Sequence, residues 1–398
     1  MILTALLTFT LYITAQATAG FNPREYTKQH VQCSALHRNG GEGEPRETTI
    51  NMSYVNINPT ATRTLLMVHG WPGLWTIFSN QILHYQDKYH LVLPDLRGFG
   101  DSTHPGDVQA SGSYTDLVGD LVCVLQDAGV EKAVCVGHDW GSQLCYEAAR
   151  MRPDLFEGVV GAALPYIPAA AKELTPTESL ISALPKLTYN LYFQRKTDAA
   201  IEELNRDIRR SVRAILRSLD SPSPYRFLRS KHNMLKAYDH MDEIPPIPFF
   251  TPEEEDYYVE QFQKQGFDYT LQFYTHENRY RNWEFSHQQG NFTIPKPALA
   301  VYPIADPVAD WPLVALILGS HKYLPYLTTK ALRTAHWVHL EKSTEFNAIL
   351  DEWLAELDTK ILEARISEME KEVKVLKQEL SNARKERKQA KKGKSGDP

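Results

Sequence analysis

The chain has 398 residues, of which 42% are hydrophobic, and its formal net charge is −6 at pH 7. A chain of this size can bury one large core or two smaller ones, so a globular catalytic domain with an inserted subdomain fits its length. The small negative charge argues against a dedicated nucleic-acid binder.

The first 19 residues, MILTALLTFTLYITAQATA, are apolar and carry no charged side chain. The A-x-A motifs AQA (15–17) and ATA (17–19) suit signal peptidase, so residues 1–19 are predicted to be a signal peptide and the protein to be secreted. No lysine or arginine precedes the apolar run, which leaves an N-terminal membrane anchor or a cytoplasmic protein as alternatives. Two N-x-S/T sequons, at Asn51 and Asn291, agree with secretion.

Strand and helix patterns alternate along residues 20–165, the first part of the predicted core. The predicted strands are Ile50–Val55, Thr64–His69, His90–Pro94, Ala133–Val136 and Leu155–Leu164, and the predicted helices are Tyr114–Ala128 and Ser142–Met151. Such alternation predicts a mostly parallel sheet with helices on both faces. Active sites in such sheets lie at the carboxyl ends of strands, where HGWP, DLRGFGDS and GHDWG all fall.

Three of the four cysteines, Cys123, Cys135 and Cys145, fall at predicted interior positions of this region. A buried free cysteine behaves as a small hydrophobic residue, so we predict free thiols rather than disulfides. On that prediction the cysteines carry no information about the cellular compartment.

The pattern changes between residues 166 and 292, where helix-forming, tyrosine-rich and charged segments are broken by prolines. No strand alternation occurs there. The strand pattern resumes at Lys296–Pro307, and the second part of the core, residues 293–358, ends with a helix near Phe346–Leu357. Residues 166–292 are therefore predicted to be a helical cap inserted between two strands of one domain.

Residues 359–398 differ in charge from the rest of the chain. From Lys360 onward there are 12 lysines and arginines against 7 aspartates and glutamates, or +5, which leaves −11 for the other residues. Apolar residues recur there at alternating spacings of four and three: Leu362, Ile366, Met369, Val373, Leu376, Leu380 and Ala383. This spacing predicts a coiled-coil seam through which the chain would form a homo-oligomer. A lone solvated helix is the alternative, and the final KERKQAKKGKSGDP is predicted to be disordered.

The stretch GHDWG, residues 137–141, connects a predicted strand to a predicted helix. So tight a turn needs small residues beside its central side chain, and Gly137 and Gly141 supply them. The turn would project Asp139 into the site and leave the Trp140 amide at a helix N-terminus, ready to donate to an oxyanion. Taken alone, Asp139 is explained equally well as an N-cap residue.

Two further residues follow strand patterns later in the chain, Asp306 in YPIADPV and His336 in TAHWVHLEKS. Alone, each has a structural explanation, a turn for the aspartate and a core position for the histidine. With Asp139, however, they give the order of nucleophile, acid and histidine found in α/β-hydrolases. HGWPG also follows a strand, so the Trp71 amide would be a second oxyanion donor, and the bond from Trp71 to Pro72 is a candidate for the cis form.

Taken together, these motifs resemble the epoxide hydrolases of the α/β-hydrolase superfamily, in particular the soluble epoxide hydrolases. The matching segments, in order over residues 45–357, are HGWPGLW, DLRGFGDS, GHDWG, TYNLYFQ, LQFYTHENRYRNW and AHWVHLEK. The resemblance implies an α/β-hydrolase fold with Asp139 as the nucleophile, Asp306 as the acid and His336 as the base. It also implies an oxyanion hole formed by the amides of Trp71 and Trp140.

The same resemblance assigns Tyr189 of TYNLYFQ and Tyr274 of LQFYTHE as the two cap tyrosines that hold the epoxide oxygen, and it places Trp140 in the substrate site. Tyr192 and Tyr280 are nearby competitors whose places in the motifs differ. An unperturbed tyrosine stays protonated at neutral pH, so it can donate to the departing oxygen.

The implied reaction converts an epoxide and water to a 1,2-diol. A carboxylate suits attack on saturated carbon, because the ester formed on Asp139 can be hydrolysed afterwards by water that His336 and Asp306 activate. The aromatic-rich cap suggests a hydrophobic epoxide. The scattered histidines and the lack of a nucleotide fingerprint imply neither a metal nor another cofactor.

Two other functions remain open. A haloalkane dehalogenase uses a similar aspartate turn, but its halide leaving group needs indole or amide donors and no proton, which leaves the two cap tyrosines unexplained. A non-catalytic scaffold displayed by the coiled coil is the second alternative. The complete set of nucleophile, acid, base and tyrosines counts against it.

Overall fold

The computed structural model describes residues 20–393 of the chain. Eight strands in this part of the chain form one sheet in the order β1-β2-β4-β3-β5-β6-β7-β8. They are Lys28–His37 (β1), Arg46–Ile57 (β2), Thr64–Val68 (β3), His90–Pro94 (β4), Ala133–His138 (β5), Phe156–Ala162 (β6), Ala298–Pro303 (β7) and Leu327–Leu332 (β8). β2 pairs antiparallel with β1 and β4, and the other neighbours are parallel, so the sheet is mostly parallel as predicted.

The central strands are recognisable because every residue of β3, β4 and β5 is buried, which gives the continuous apolar runs of a strand covered on both faces. The edge strand β1, by contrast, was not predicted. Only Cys33 and Ala35 of its ten residues are fully buried. Its polar sequence therefore gave too weak an alternation to indicate a strand.

The helices divide into a core set and a cap set. The core helices are Ser79–Tyr85 (α1), Tyr114–Asp127 (α2) and Trp140–Met151 (α3) before the cap. The cap, between β6 and β7, contains Thr177–Ala183 (α4), Tyr189–Arg195 (α5), Thr197–Asn205 (α6), Ile208–Ile215 (α7), Pro252–Gln265 (α8) and His276–Gln289 (α9). Trp311–Leu318 (α10), Val338–Glu341 (α11) and Ser343–Ala355 (α12) complete the core, and Leu357–Gly393 (α13) follows it. The predicted helical cap, residues 166–292, thus corresponds to an insertion with helices only.

Local signals explain where two of the longest helices begin. α2 starts with a capping box in which Ser113 and Asp116 satisfy each other's backbone amides. In α8 the same arrangement joins Thr251 and Glu254, with Pro252 at the first helical position, where its missing N–H is not needed.

The four cysteines form two disulfides, so the prediction of free thiols was wrong. Cys33 of β1 is bonded to Cys123 of α2, and Cys135 of β5 is bonded to Cys145 of α3. The Cα–Cα distances are 6.0 Å and 5.4 Å, in the usual range for a disulfide. The error arose because β1 was not predicted, and because interior positions suit a disulfide as well as a thiol.

α13 begins against the core and then leaves it. Leu357 and Ala364 are buried, and the Tyr326 hydroxyl donates a hydrogen bond to the carbonyl of Ala364 (3.3 Å). The large apolar residues of the predicted seam are exposed, from 46% for Val373 to 64% for Met369. The helix continues to Gly393 and so includes residues 385–393 of the tail predicted to be disordered, and residues 394–398 lie outside the described part.

The predicted signal peptide, residues 1–19, also lies outside the described residues. Among the helices of residues 20–393, none combines the length and the apolar character that a membrane crossing requires.

Candidate active site

Asp139 occupies the turn between β5 and α3, as the GHDWG pattern predicts. Its φ of 55° and ψ of −126° lie outside the regions that most residues adopt, so the backbone there is strained. A Cβ at Gly137 would come within 2.1 Å of the Gly141 carbonyl oxygen, and one at Gly141 within 2.1 Å of the Val68 carbonyl oxygen. Gly137 is therefore required for the turn to close against its own helix, and Gly141 for the turn to pack against β3.

Asp139, His336 and Asp306 meet at the carboxyl ends of three strands. The Nε2 of His336 lies 3.3 Å from Oδ2 of Asp139, and its Nδ1 lies 2.7 Å from Oδ2 of Asp306. Asp306 also accepts hydrogen bonds from the Trp311 indole (2.6 Å) and the Val308 amide (2.8 Å). These bonds fix the acid and orient the imidazole toward Asp139.

The HGWP turn approaches the same carboxylate. The Trp71 amide donates to Oδ1 of Asp139 at 2.9 Å, and the bond between Trp71 and Pro72 is cis. A Cβ at Gly70 would meet Oδ1 of Asp139 at 2.5 Å, so only glycine allows this close approach. Trp140 is the first residue of α3, so its amide is among the N–H groups that have no partner within the helix.

Tyr189 and Tyr274 come from the cap and lie across the cavity from the triad. Their ring centroids are 6.0 Å apart. The Tyr274 ring makes edge contacts with Trp71 (5.5 Å) and Trp140 (5.6 Å), and with Phe193 of α5 (5.0 Å). The structure thus brings together all five predicted side chains and both tryptophans.

The two competitor tyrosines lie elsewhere. The Tyr192 hydroxyl donates to the carbonyl of Ala199 at 3.1 Å, which places it within the cap. Tyr280 is exposed and donates to Glu284. Neither lines the cavity that contains Asp139.

Asp139 and His336 shift each other's pKa values. Burial would raise the pKa of Asp139, but the hydrogen bond and charge of His336 outweigh it, so the pKa is lowered. Burial would lower the pKa of His336, but Asp306 and Asp139 raise it to about 10. At neutral pH these groups therefore form an ion pair between a carboxylate and an imidazolium.

The pKa values of both cap tyrosines are raised, whereas that of Asp139 is lowered. Burial raises the pKa of Tyr189, and the negative charge of Asp139 adds to the effect. Burial also raises the pKa of Tyr274. Both hydroxyls consequently remain protonated at neutral pH and can donate a hydrogen bond or a proton.

His138 and His69 are buried beside the site and contact the backbone of the segments that form it. The Nε2 of His138 lies 3.0 Å from the carbonyl oxygen of His336, and burial lowers the pKa of His138 to about 3, so it stays neutral. His69 bridges the carbonyl of Gly70 (2.8 Å) and the amide of Leu96 (2.9 Å), and these contacts stabilise the HGWP turn. Within residues 20–393 no three or more histidines, cysteines or carboxylates cluster as metal ligands.

The cavity has a volume of about 280 Å³ and a mainly apolar wall. Its apolar lining includes Leu164, Ile167, Leu180, Leu184, Leu187, Val308, Val314 and Leu318. The sequence analysis missed nine polar residues in this wall: Tyr114, Gln143, Glu147, Glu173, Thr175, Asn190, Arg279, Asn282 and Ser286. A helical signal was available for two, because positions 140, 143 and 147 lie on one face of α3.

Comparison with known proteins gives a consistent result. The family described as having an alpha/beta hydrolase fold matches residues 63–343. Epoxide hydrolase A of Mycobacterium tuberculosis is 30% identical over 321 residues, which cover 78% of this chain and 95% of that protein. The bifunctional epoxide hydrolase 2 of Mus musculus is 28% identical over 293 residues, 73% of this chain and 51% of that protein.

A solved structure shows the same likeness. The crystal structure of epoxide hydrolase A from Mycobacterium thermoresistibile superposes with a TM-score of 0.66 at 28% identity. The match covers 82% of this chain and 99% of that one. The fold predicted from the sequence, an α/β-hydrolase fold, is therefore confirmed.

Proposed function

The chain belongs to the epoxide hydrolases of the α/β-hydrolase superfamily, and we propose that it converts a hydrophobic epoxide and water to a 1,2-diol through a covalent ester on Asp139. One observation carries this proposal. The Asp139 carboxylate, 3.3 Å from His336, lines the same cavity as the tyrosines Tyr189 and Tyr274.

The first step is ring opening. A carboxylate oxygen of Asp139 attacks one epoxide carbon, and the bond from that carbon to the ring oxygen breaks. The oxygen takes a proton from Tyr189 or Tyr274, and water later returns a proton to the phenolate. The high pKa of these buried tyrosines keeps the proton in place until the alkoxide forms, and the alkoxide is the stronger base.

The second step is ester hydrolysis. His336 takes a proton from water, and the resulting hydroxide attacks the carboxyl carbon of Asp139. The amides of Trp71 and Trp140 stabilise the oxyanion of the tetrahedral intermediate. When the intermediate collapses, the bond from the carboxyl carbon to the substrate-bearing oxygen breaks, and that oxygen takes the proton of the new carboxyl group. The diol leaves with an oxygen that came from Asp139, and the carboxylate is regenerated beside the protonated His336.

Formation of the ester also prepares His336 to act as a base. In the free enzyme two carboxylates hold its pKa near 10, so it is already protonated. Alkylation turns Asp139 into a neutral ester and removes one of those charges. The pKa of His336 then falls, and the neutral imidazole needed for the second step becomes available.

Isotope labelling tests the covalent mechanism. In ¹⁸O-labelled water and with enzyme in excess over a styrene oxide probe, the diol should contain no label, and Asp139 should acquire it. Repeated turnover should then label the diol. A single-turnover diol that already carries ¹⁸O would overturn the ester mechanism, because it would show direct attack of water on the epoxide.

A haloalkane panel tests the dehalogenase alternative. The Trp71 indole N–H donates to Oγ1 of Thr270 at 3.2 Å, so it is not free to hold a halide. We therefore expect diol from epoxides and no halide release from haloalkanes. A protein that turns over neither class would support the scaffold alternative.

The exposed stripe on α13 supports a proposal of self-association through a coiled coil. Light scattering of the full chain should give a multiple of the 45.4 kDa monomer mass. Met369→Glu/Leu376→Glu, on the stripe, should reduce it to the monomer. Lys371→Glu/Gln378→Glu, on the opposite face of the helix, is the matched control, and a monomeric wild type would contradict the proposal.

We also propose that the protein enters the secretory pathway, as residues 1–19 predict. Two disulfides favour an oxidising compartment. Asn291 is exposed in the loop between α9 and β7, whereas the side-chain Nδ2 of Asn51, the atom that a glycan would occupy, donates to the carbonyl of Asp101 (3.1 Å). Secreted protein should therefore carry a glycan that Asn291→Gln removes and Asn51→Gln does not; cytosolic protein with free thiols would contradict this proposal.

A further inference from the structure

His336 lies on a loop between β8 and α11, residues 333–337, which we call the histidine loop. Asp306 binds Nδ1 of the imidazole at 2.7 Å and so fixes one side of the ring. The position of the other nitrogen, Nε2, also depends on the backbone that carries the ring. A catalytic side chain keeps its geometry only when the groups around it are themselves held. The contacts that hold the histidine loop therefore bear on the reaction.

The backbone of the histidine loop is held on both sides of the His336 side chain. On the far side, the carbonyl oxygen of His336 lies 3.0 Å from Nε2 of His138. On the near side, the amide of Ala335 donates to Oε2 of Glu341 at 3.2 Å. Glu341 is the last residue of α11, so its side chain reaches back to the loop that precedes its own helix.

The same oxygen of Glu341 also binds the cap. It accepts a hydrogen bond from the amide of Leu219, which follows α7, at 2.9 Å. The cap backbone at this point is fixed in turn, because Arg217 donates to the carbonyls of residues 213, 221, 245 and 246. Glu341 thus joins the histidine loop to a part of the cap that is itself held in place.

The burial of Glu341 shows that this contact has a cost. Burial raises the pKa of its carboxyl group, and the backbone amides that it accepts from and the charge of His336 offset only part of the effect. Glu147, which is also buried, has an ion pair with Arg150 at 2.7 Å to stabilise it. Glu341 instead uses its carboxyl group to hold two backbone segments, one of which carries the base.

We propose that Glu341 is a positioning residue for ester hydrolysis, which fixes the histidine loop against the cap so that Nε2 of His336 faces the ester on Asp139. Glu341 does not line the cavity and acts through the Ala335 amide. This inference rests on the proposed reaction at Asp139. Ring opening does not need His336 as a base, so the two chemical steps should respond differently to a change at Glu341.

Rapid-quench kinetics with styrene oxide measure the two steps separately. Glu341→Leu removes the acceptor of both amides and nearly keeps the size of the side chain. Hydrolysis of the alkylated enzyme should slow about 10- to 100-fold, because a displacement of about 1 Å can cost that much. Formation of the alkylated enzyme should be nearly unchanged. Both are rate constants of the active molecules, so a loss of folded protein does not alter them.

Two further variants separate positioning from a purely structural role. Glu341→Gln keeps an oxygen that can accept from both amides, so it should restore most of the rate of hydrolysis. Gln265→Leu is the matched control, because Gln265 joins the cap to the core through the carbonyls of Gly100 (2.8 Å) and Ser102 (2.9 Å) and does not line the cavity. It should lower the free energy of unfolding without slowing hydrolysis. Equal slowing of both steps in Glu341→Leu, or no recovery in Glu341→Gln, would overturn the proposal.

Nuclear magnetic resonance keeps the test independent of turnover. In ¹⁵N-histidine-labelled protein, the Nδ1 proton of His336 can be assigned by its loss in His336→Gln. Its signal should persist in Gln265→Leu and should shift or broaden in Glu341→Leu, where the ring no longer has one position. A wild type that forms no alkylated enzyme would refute the proposed reaction, while this change in the signal would still support the role of Glu341. An unchanged signal in Glu341→Leu would overturn that role with or without turnover.

Discussion

The two sides of the substrate cavity are built in different ways. The floor, which consists of Asp139, Asp306, His336 and the Trp71 amide, is joined by hydrogen bonds and ion contacts of 2.7 to 3.3 Å. The roof, Tyr189 and Tyr274, is held in the cap by aromatic packing, with ring centroids 5.0 to 6.0 Å from their neighbours. One disulfide joins β1 to α2 and the other joins β5 to α3, so both lie in the core and neither joins the cap.

This difference matches the demands of the two chemical roles. A nucleophile must attack in line with the breaking bond, so small errors in the position of Asp139 would be costly. A proton donor has more freedom, because either of two hydroxyls can reach a departing oxygen. We therefore expect changes in the floor to have larger effects than equally conservative changes in the roof.

Loss of Asp139 should have the largest effect. Asp139→Ala removes the atom that forms the ester, so kcat should fall by at least about 10⁴-fold, as for nucleophiles of other covalent hydrolases. Diol formation under saturating styrene oxide measures it. Asp351→Asn is the control, since Asp351 also binds a histidine, His84, at 2.7 Å but lies outside the cavity. A variant that keeps a tenth of the activity would exclude Asp139 as the nucleophile.

The disulfide between Cys33 and Cys123 should contribute more to stability, whereas the one between Cys135 and Cys145 should contribute more to activity. The bond from Cys33 to Cys123 closes 90 residues and that from Cys135 to Cys145 closes 10. Chain entropy gives about 4–5 kcal/mol of stability for the first and about 2–3 kcal/mol for the second. Urea unfolding of the two double alanine variants should show this order.

The loss of activity on removing a disulfide should depend on its distance from the nucleophile turn, not on the number of residues that it closes. Cys135 precedes Asp139 in β5 and Cys145 follows it in α3, so this disulfide holds the two sides of the nucleophile turn. Its removal should lower kcat more than removal of the other disulfide, when both variants are assayed well below their unfolding midpoints. The same rank order in both assays would indicate that the shorter disulfide has no part in positioning Asp139.

Changes in the roof should be milder. Tyr189→Phe and Tyr274→Phe should each lower the rate of ring opening by about 10²-fold, the lower end for loss of a general acid, and the double variant should lose more than either. Tyr192→Phe and Tyr280→Phe are matched controls outside the cavity and should leave the rate unchanged. Rapid-quench detection of the alkylated enzyme measures this step, and an unaffected double variant would refute the leaving-group role.

The same contrast explains how much the sequence could predict. The floor lies in short motifs at strand ends, such as GHDWG, and the physics of a tight turn identifies Gly137 and Gly141 without any structure. Tyr189 and Tyr274 were found only through the resemblance to a family, because 20 tyrosines in the chain offer no spacing that singles out two. Arg279 was not found at all.

Two features were beyond the reach of pattern analysis for a physical reason. Whether cysteines pair depends on strands that are distant in sequence coming together, and the polar edge strand β1 gave little sign of itself. The position of Arg279 in the cavity wall is likewise a property of the folded chain. A sequence with 43 lysines and arginines gives no indication of which of them lines the cavity.

The smallest expected effect is a dependence on pH, which should differ between ring opening and ester hydrolysis. Ring opening needs the Asp139 carboxylate and a protonated tyrosine. The pKa of Asp139 is lowered and those of Tyr189 and Tyr274 are raised, so this step should be independent of pH across the neutral range. Ester hydrolysis needs neutral His336, so it should slow as pH falls below the pKa of His336 in the ester.

That pKa is below the value of about 10 in the free enzyme, because the ester lacks the charge of Asp139. Below it, each unit of acidification should slow hydrolysis up to about tenfold. The alkylated fraction of the enzyme, measured by intact mass after an acid quench during steady turnover, should therefore grow toward acid pH. In His336→Gln it should be high at every pH. A fraction that is constant with pH in the wild type would mean that His336 does not activate the water.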